Sequence, residues 1–406
     1  MQGFFTKSEM TPKSSMPNSS STKCAKCKLY EGLVTPKMPP DGEFQKSLMV
    51  TPENPGYKED VRGKPLVGKT GKFTRKKFKD QVDIDLDRDA IVQNALGCKT
   101  EDNRAPTANE LDCCRPYLLD TFRKYRPHVW LLMGEAAVKS VIGHKWKKNL
   151  GGITKWRGWA IPDRDYQCWI VPTFHPSYVQ RETSPPSVPT WFNKDLRTAI
   201  NLLDKPLPNF VKTPEEDRVT ILRHPKQINN YLEKLIHGET TLTSFDYEAT
   251  GKKPHKKGHE IVAASVAESA FSAVSFPFYK EIESTWKKFL ECEHIKKIPF
   301  NLNYEKLWSK VILGAEVNGI YADPMLDTHI FDNRAGITSL KFQTYVNFGV
   351  CDYDGHLSHL LQSNGGNSFN RVKEIPIKEL LTYCGMDSMF TFRLALMQMK
   401  LKGDKF

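Results

Sequence analysis

The sequence predicts an α/β protein built as two domains, and three observations lead to that reading. The chain is 406 residues long, more than one ordinary core holds. Its first half alternates apolar runs with helical patterns: IVQNALG, ANELDCCRPYLLDTFRKY, HVWLLMG, EAAVKSVIG and CWIVPTFHPS follow one another. Strands alternating with helices imply a parallel sheet layered between helices, with ligands beyond the carboxyl ends of the strands. The polar clusters fall at such ends: TPENPG after SLMV, Asn94 read as lying within a strand, and His175 after WIVPTF. In the second half, TLTSFDYEATG reads as a strand bearing acids and EIVAASVAESAFSAVSF as two more strands. ELLTYCGMDSMFTFRLALMQM closes the pattern as a long amphipathic helix, so this half is a sheet with helices packed against it.

The division falls at KPLPNFVKTPEE, whose three prolines break helix and strand patterns alike. The expected organisation is a polar tail over 1–22, a first domain over 23–204, a linker over 205–217 and a second domain over 218–406. The loop ETSPPSVPT precedes the helical WFNKDLRTAINLL and so belongs to the first domain. No stretch approaches the roughly 18 to 20 apolar residues of a membrane span, and the amino terminus lacks the apolar centre of a secretory signal. No membrane partner is expected, and the expected location is the cytoplasm. A net charge of +12 suits an anionic partner, since Lys and Arg gain affinity by displacing counterions from phosphates, although a solvated basic surface has the same composition. Nine cysteines without a secretion signal argue against a disulfide framework. Cys168, Cys292, Cys351 and Cys384 are scattered and read as ordinary core or surface thiols.

Asp246 and Glu248 lie two apart on the predicted strand, so both side chains leave the same face. The flanking TLTSF marks a buried central strand, where carboxylates need a cation or a proton. Two Mg2+ or Mn2+ ions suit such a site if another acid arrives from elsewhere. The last helix offers Tyr383 and Asp387 at i and i+4, on one helix face. At this spacing such a pair is more often structural; as a functional pair, the aspartate binds metal and the tyrosine hydroxyl orients a water.

FDYEATG, NLNYEKLW and YCGMD, in that order, resemble the three motifs of the DEDDy exonucleases that proofread for family A DNA polymerases. The resemblance covers Val219 to Phe406 and implies an RNase H-like fold, a 3'-to-5' exonuclease, and Asp246, Glu248, Glu305, Tyr383 and Asp387 as its catalytic residues. DPMLDTHIFDN and GITSLKFQTYVNFG look like the intervening helices of the phage versions. One departure matters: the second motif supplies an aspartate in the family, and here Glu305 stands in its place with one methylene more.

Cys24 and Cys27, with the distant Cys98 and Cys114, could hold zinc or an iron-sulfur cluster, as both accept four thiolates; Cys113 leaves the fourth ligand open. KCAKCKLYEG, NALGCKTEDNRAPTANELDCCRPYLL and TFHPSYV together resemble the family 4 uracil-DNA glycosylases, across about Lys23 to Leu203. That resemblance implies a three-layer parallel-sheet domain and a structural [4Fe-4S] cluster on Cys24, Cys27, Cys98 and Cys114, with Zn2+ as the alternative. It also implies a pocket for a flipped uracil formed by Glu53, Pro55, Gly56, Leu66, Asn94, His175 and Ser177. Asn94 matches the amide that reads the base edge, and His175 the group that stabilises the departing anion. PENPGYKEDVRGKPLVG departs from the family: there a glycine precedes the glutamate, an alanine follows it, and a phenylalanine occupies the place of Leu66.

The two resemblances together are similar to the amino-terminal part of certain phage family A DNA polymerases. The expected function is proofreading removal of 3' nucleotides in phage replication, in host cytoplasm, with single-stranded and primer-template DNA and a family A polymerase, expected to be separate, as partners. Uracil excision and a non-catalytic DNA-binding accessory role are the rival readings.

Overall fold

A computed structural model describes residues 20–208 and 214–403, so most of the expected tail and the centre of the expected linker lie outside the described residues. The described chain forms two compact units, residues 20–208 with Tyr345–Asp352, and residues 214–344 with 353–403. Among the described residues no helix is long and apolar enough to cross a membrane.

The first unit opens with α1 (Ser20–Cys27), which already begins inside the stretch expected to be a tail. Its sheet has the order β2-β1-β3-β5-β4, formed by β1 (Leu48–Thr51), β2 (Ala90–Val92), β3 (Val129–Met133), β4 (Ile161–Asp163) and β5 (Cys168–Thr173). Four strands are parallel, as alternation with helices requires, and the edge strand β4 runs antiparallel to β5. The parallel sheet expected from sequence is thus present in four strands, and β4 joins its edge antiparallel because the short turn between β4 and β5 forms a hairpin rather than a crossover. The strands are continuous apolar runs, consistent with helices covering both faces. The helices α2 (Lys69–Val82), α3 (Ala108–Tyr125), α4 (Glu135–Val141) and α5 (Val188–Asn201) flank them. Phe78 of α2 and Phe192 and Leu196 of α5 join Leu48, Val50, Leu131 and Val171 in one buried core. A capping box starts α3: Thr107 accepts from Glu110 N, and the Glu110 carboxylate accepts from Thr107 N at 2.7 Å.

In the second unit the sheet order is β10-β7-β8-β9-β6, from β6 (Val219–Ile221), β7 (Leu242–Ala249), β8 (Ile261–Ser269), β9 (Ser272–Pro277) and β10 (Lys296–Pro299). β7, β8 and β9 make an antiparallel meander, and β10 lies parallel to β7 on its other side. A three-stranded meander with a fourth strand parallel to its first is an RNase H-like sheet. Strand period 2 sorts β7: Phe245, Tyr247 and Ala249 enter a core with Trp286 and Phe289 of α7 (Glu283–Glu291) and Ile228 and Leu232 of α6 (Pro225–His237). The opposite face, with Leu242, Ser244, Asp246 and Glu248, lies under α10 (Ile377–Lys402), where Leu242 packs with Met389 and Phe392. Between them run α8 (Leu302–Leu313) and α9 (Leu340–Phe348). Gly385 lets α10 settle on the sheet, since a Cβ there would meet Val219 Cγ1 at 2.3 Å.

Candidate functional site

The second unit gathers the expected acids in one cleft. Asp246, Glu248, Glu305, Tyr383 and Asp387 all line it, along with Tyr304 and Lys341. β7 is hydrogen-bonded on both sides, and its Asp246 and Glu248 project under α10. Two short links register the helix on the strands: Ser244 Oγ donates to Ser388 O at 2.5 Å and Ser265 Oγ to Cys384 O at 2.8 Å. Tyr383 and Asp387, one turn apart on the buried face of α10, are thereby brought over the strand acids.

Glu305 arrives from α8 and is buried, and its Oε2 has no hydrogen-bond partner. Asp323 fixes the start of that helix by accepting from Asn301 N at 3.1 Å and Leu302 N at 2.8 Å. A buried carboxylate oxygen without a donor is costly unless a cation serves it. The electrostatics agree. Burial first, and then the charge on Asp387, hold Asp246 well above the usual carboxylate range, against the pull of Lys341. Burial and then Asp246 do the same to Glu248 and to Glu305. Ligand atoms of Asp246, Glu248 and Cys384 all lie within 4.8 Å of one another, a spacing one cation could bridge. The donor set, mainly hard carboxylate oxygen, fits Mg2+ or Mn2+.

Sequence reasoning missed three groups here. Cys384 is no bystander: its Sγ lies 3.8 Å from Asp246 Oδ2 and 3.3 Å from Ser265 Oγ. Lys341, on α9, is buried and donates to both carboxylate oxygens of Asp387. Tyr353 donates its hydroxyl to Asp387 Oδ1 at 2.5 Å. Burial pulls the Lys341 ammonium down, but Asp387 and then Asp354 outweigh it and the group sits above its ordinary value. The available signal was no more than a lone charge between Leu340 and Phe342.

In the first unit, Asn94 lies two residues past the end of β2 rather than within it. The strand stops early because the segment after it pairs with the neighbouring loop instead: Ala95 N donates to Pro52 O at 2.9 Å and Leu96 N to Glu53 O at 3.0 Å. Asn94 is buried and its Oδ1 has no partner. Glu53 Oε1 accepts from Ala136 N at 3.3 Å at the start of α4. His175, after β5, accepts a hydrogen bond at Nδ1 from Ser177 N at 3.3 Å, with Ser177 Oγ also 2.7 Å away. An accepting Nδ1 leaves the proton on Nε2, which is then a donor. Burial pulls the His175 pKa down, opposed by the charge of Glu53, which favours the neutral ring. Pro55 and Gly56 follow Glu53, and Gly56 lies against Glu59, whose Oε1 accepts from Val67 N at 3.0 Å and Gly68 N at 2.6 Å. Leu66 takes a left-handed φ of 55° and packs in the core with Phe78 and Phe174. Asn54 Nδ2 reaches Thr100 Oγ1 at 3.3 Å and ties the loop down.

Cys24, Cys27, Cys98, Cys113 and Cys114 all line a single pocket. Two backbone donors point at sulfur: Lys37 N at 3.4 Å from Cys98 Sγ and Gly97 N at 3.1 Å from Cys114 Sγ. Burial raises the Cys27 and Cys98 thiols and pushes Cys114 up to about 12.

The two units are thus an α/β domain with polar residues at its strand ends and a cysteine-lined pocket, and an RNase H-like domain with an acidic cleft. Residues 39–203 match the family model described as the uracil DNA glycosylase superfamily. Across its first half the chain is 31% identical to the type-4 uracil-DNA glycosylase of Saccharolobus solfataricus over 159 residues, 38% of this chain and 71% of that one. The chain belongs to this family. A second relative spans both units: the DNA polymerase of Bacillus phage SP01 is 23% identical over 392 residues, 87% of this chain but 40% of the polymerase. Solved structures similar to this chain include Brucella melitensis NrnC, at 14% identity and a TM-score of 0.34 over 46% of this chain and 82% of that one. The Aedes aegypti Nibbler EXO domain matches at 12% identity and a TM-score of 0.34, over 48% of this chain and 95% of that one.

Proposed function

We propose that the second unit is a metal-dependent 3'-to-5' DNA exonuclease of the DEDDy type, acting in proofreading for a family A DNA polymerase. The observation that supports it most is the convergence of Asp246, Glu248, Glu305 and Asp387 with Tyr383 in one cleft, where buried carboxylates stand far above their usual range. When bound, two divalent cations supply an activated water and stabilise the leaving 3' oxygen. Asp246, Glu248 and Asp387 would hold them, with Glu305 reaching one directly or through water. Tyr383 orients the attacking water through its hydroxyl, while the buried walls keep other water away.

The first unit, on this reading, holds or inspects DNA through a uracil-type pocket of Glu53, Asn94 and His175. Cys24, Cys27, Cys98 and Cys114 would hold a [4Fe-4S] cluster that pins the surrounding loops. The polymerase, with primer-template DNA, is the partner this assignment calls for.

End-labelled single-stranded DNA, with and without an internal uracil, incubated in Mg2+ and in EDTA, tests the assignment. Shortening from the 3' end in Mg2+ alone is expected. Intact DNA under all conditions points to a DNA-binding accessory, and abasic sites without shortening to a glycosylase.

A further inference from the structure

The chain leaving the acidic strand bears an unusual density of cations. Gly251, three residues beyond Glu248 and so about 10 Å along the strand direction, opens the segment KKPHKKGHE. Lys252, Lys253, Lys256 and Lys257 are all exposed, and none has a carboxylate partner within ion-pairing distance among the described residues. Four like charges crowded on a short loop repel one another, so the arrangement lowers stability unless an anion covers it.

An aromatic ring stands among them. Phe369 lies on a segment bridged to Gly251 and keeps 43% of its surface exposed. Its ring rests on His259 with centroids 4.2 Å apart, and Lys256 Nζ lies 5.0 Å from its centroid. His259 is itself buried and anchored: Nδ1 pairs with Thr250 Oγ1 at 3.0 Å, and its ring meets Trp308 edge-on. The exposed phenylalanine is therefore rigidly mounted. Tyr304, a wall of the acidic cleft, donates its hydroxyl to Gly251 O at 3.4 Å, which ties the start of this loop to the cleft wall.

We propose that Phe369 and the lysines of 252–257 form a subsite for single-stranded DNA, where a base upstream of the 3' terminus stacks on Phe369 and its flanking phosphates lie along Lys252, Lys253, Lys256 and Lys257. An aromatic platform edged with cations is how sequence-tolerant single-strand sites are made, because every base has a stacking face and every nucleotide a phosphate. The inference rests on the exonuclease reading of the adjacent cleft. It assigns the substrate class: a strand several nucleotides long with a free 3' end, in preference to a mononucleotide ester.

The test uses the full chain in Mg2+ with two substrates, 5'-labelled (dT)12 and the p-nitrophenyl ester of thymidine 5'-monophosphate, which reaches only the cleft. Phe369→Ala should raise KM for (dT)12 about tenfold with kcat kept, and leave hydrolysis of the ester unchanged. Replacing the four lysines by glutamine should flatten the dependence of log kcat/KM on log salt by about 0.7 for each phosphate that is no longer neutralised. All five positions are exposed, and an unchanged melting temperature verifies folding. KM and salt slope equal to those of the unmodified chain overturn the subsite while leaving the nuclease intact. Failure of the unmodified chain to hydrolyse either substrate overturns the nuclease reading, and the subsite with it.

Discussion

Lys341 holds both carboxylate oxygens of Asp387, and Tyr353 adds a third donor to the same group. A buried ammonium therefore stands at the one acid of the cleft that α10 contributes, and its ring neighbours Tyr353 and Tyr383 lie 4.6 and 4.4 Å from Nζ. Its charge offsets part of the repulsion among Asp246, Glu248 and Asp387 when no cation is bound. Lys341→Met leaves Asp387 buried without its ion partner, which costs about 3 kcal/mol or more. The expected result is a lower melting temperature in EDTA that Mn2+ largely restores, together with tighter Mn2+ binding by calorimetry. Equal melting temperatures for both proteins in EDTA would show the pair to be inconsequential.

Asp246→Ala should abolish Mg2+-dependent shortening of single-stranded DNA while leaving DNA binding intact, because it removes a cation ligand and leaves the groups that meet phosphate in place. Tyr383→Phe keeps the ring under Lys341 and removes only the hydroxyl. Its kcat should fall by on the order of 10²-fold, the lower end for a positioned group that handles a proton. Shortening by purified Asp246→Ala at the normal rate rules out the site; normal kcat in Tyr383→Phe reduces that residue to packing.

The raised carboxyls set a pH dependence with a definite sign. Asp246, Glu248 and Glu305 are held above the usual range by burial first and by neighbouring acids second. Such groups bind more protons folded than unfolded, so their contribution to stability is full below about pH 4 and is lost as pH rises through the higher folded values. In EDTA the melting temperature should fall as pH rises above the ordinary carboxylate range. Mg2+ should raise it more at higher pH, where the acids no longer hold protons. A melting temperature that climbs with pH in EDTA contradicts this account.

How much of this was legible in the sequence follows from which interactions are local. The period-2 placement of Asp246 and Glu248 and the one-turn spacing of Tyr383 and Asp387 are properties of a strand and a helix, and the structure has both. Asn94 was misplaced because its backbone leaves β2 to bond Pro52 and Glu53, a choice made by a loop more than 40 residues earlier. Lys341 meets Asp387 across 46 positions of sequence. No local pattern marks such a pairing beyond a charge between two apolar residues. Cys384 was likewise set aside as an ordinary thiol, since its neighbour Ser265 lies on another strand.

The cysteine pocket predicts a colour. Anaerobically purified protein should be brown, absorb broadly near 400 nm and contain about four irons per chain. Cys114→Ser should lose the iron, since Cys114 is the thiol that accepts from Gly97 N, while Cys113→Ser should retain it. Stoichiometric zinc without iron, or iron lost from Cys113→Ser alone, would reverse the ligand assignment.

The last prediction concerns uracil. Asn94 keeps an unpartnered Oδ1 inside the first unit, and His175, whose burial favours the neutral ring, accepts at Nδ1 from Ser177, so its Nε2 proton is available to an anion. If this is a uracil site, as proposed, Asn94 would read the base edge and His175 would stabilise the departing anion. On the same reading the stacking ring is replaced by Leu66, which has a φ of 55° and belongs to the buried core with Phe78 and Phe174. The loop before it is tied by Asn54 to Thr100. A flipped base would keep its edge hydrogen bonds and forgo about 1 to 3 kcal/mol of stacking, which loosens the alignment of the leaving group. Uracil-containing single strands should therefore bind more tightly than thymine strands, while excision is slow or absent. Leu66→Phe should raise excision, at a cost in stability of about 1 to 3 kcal/mol from overpacking. The measurement is alkali-labile cleavage of uracil-containing DNA beside competition binding in EDTA. Rapid excision by the unmodified protein would show that the ring is dispensable, and equal affinity for uracil and thymine strands would reduce the first unit to a general DNA clamp.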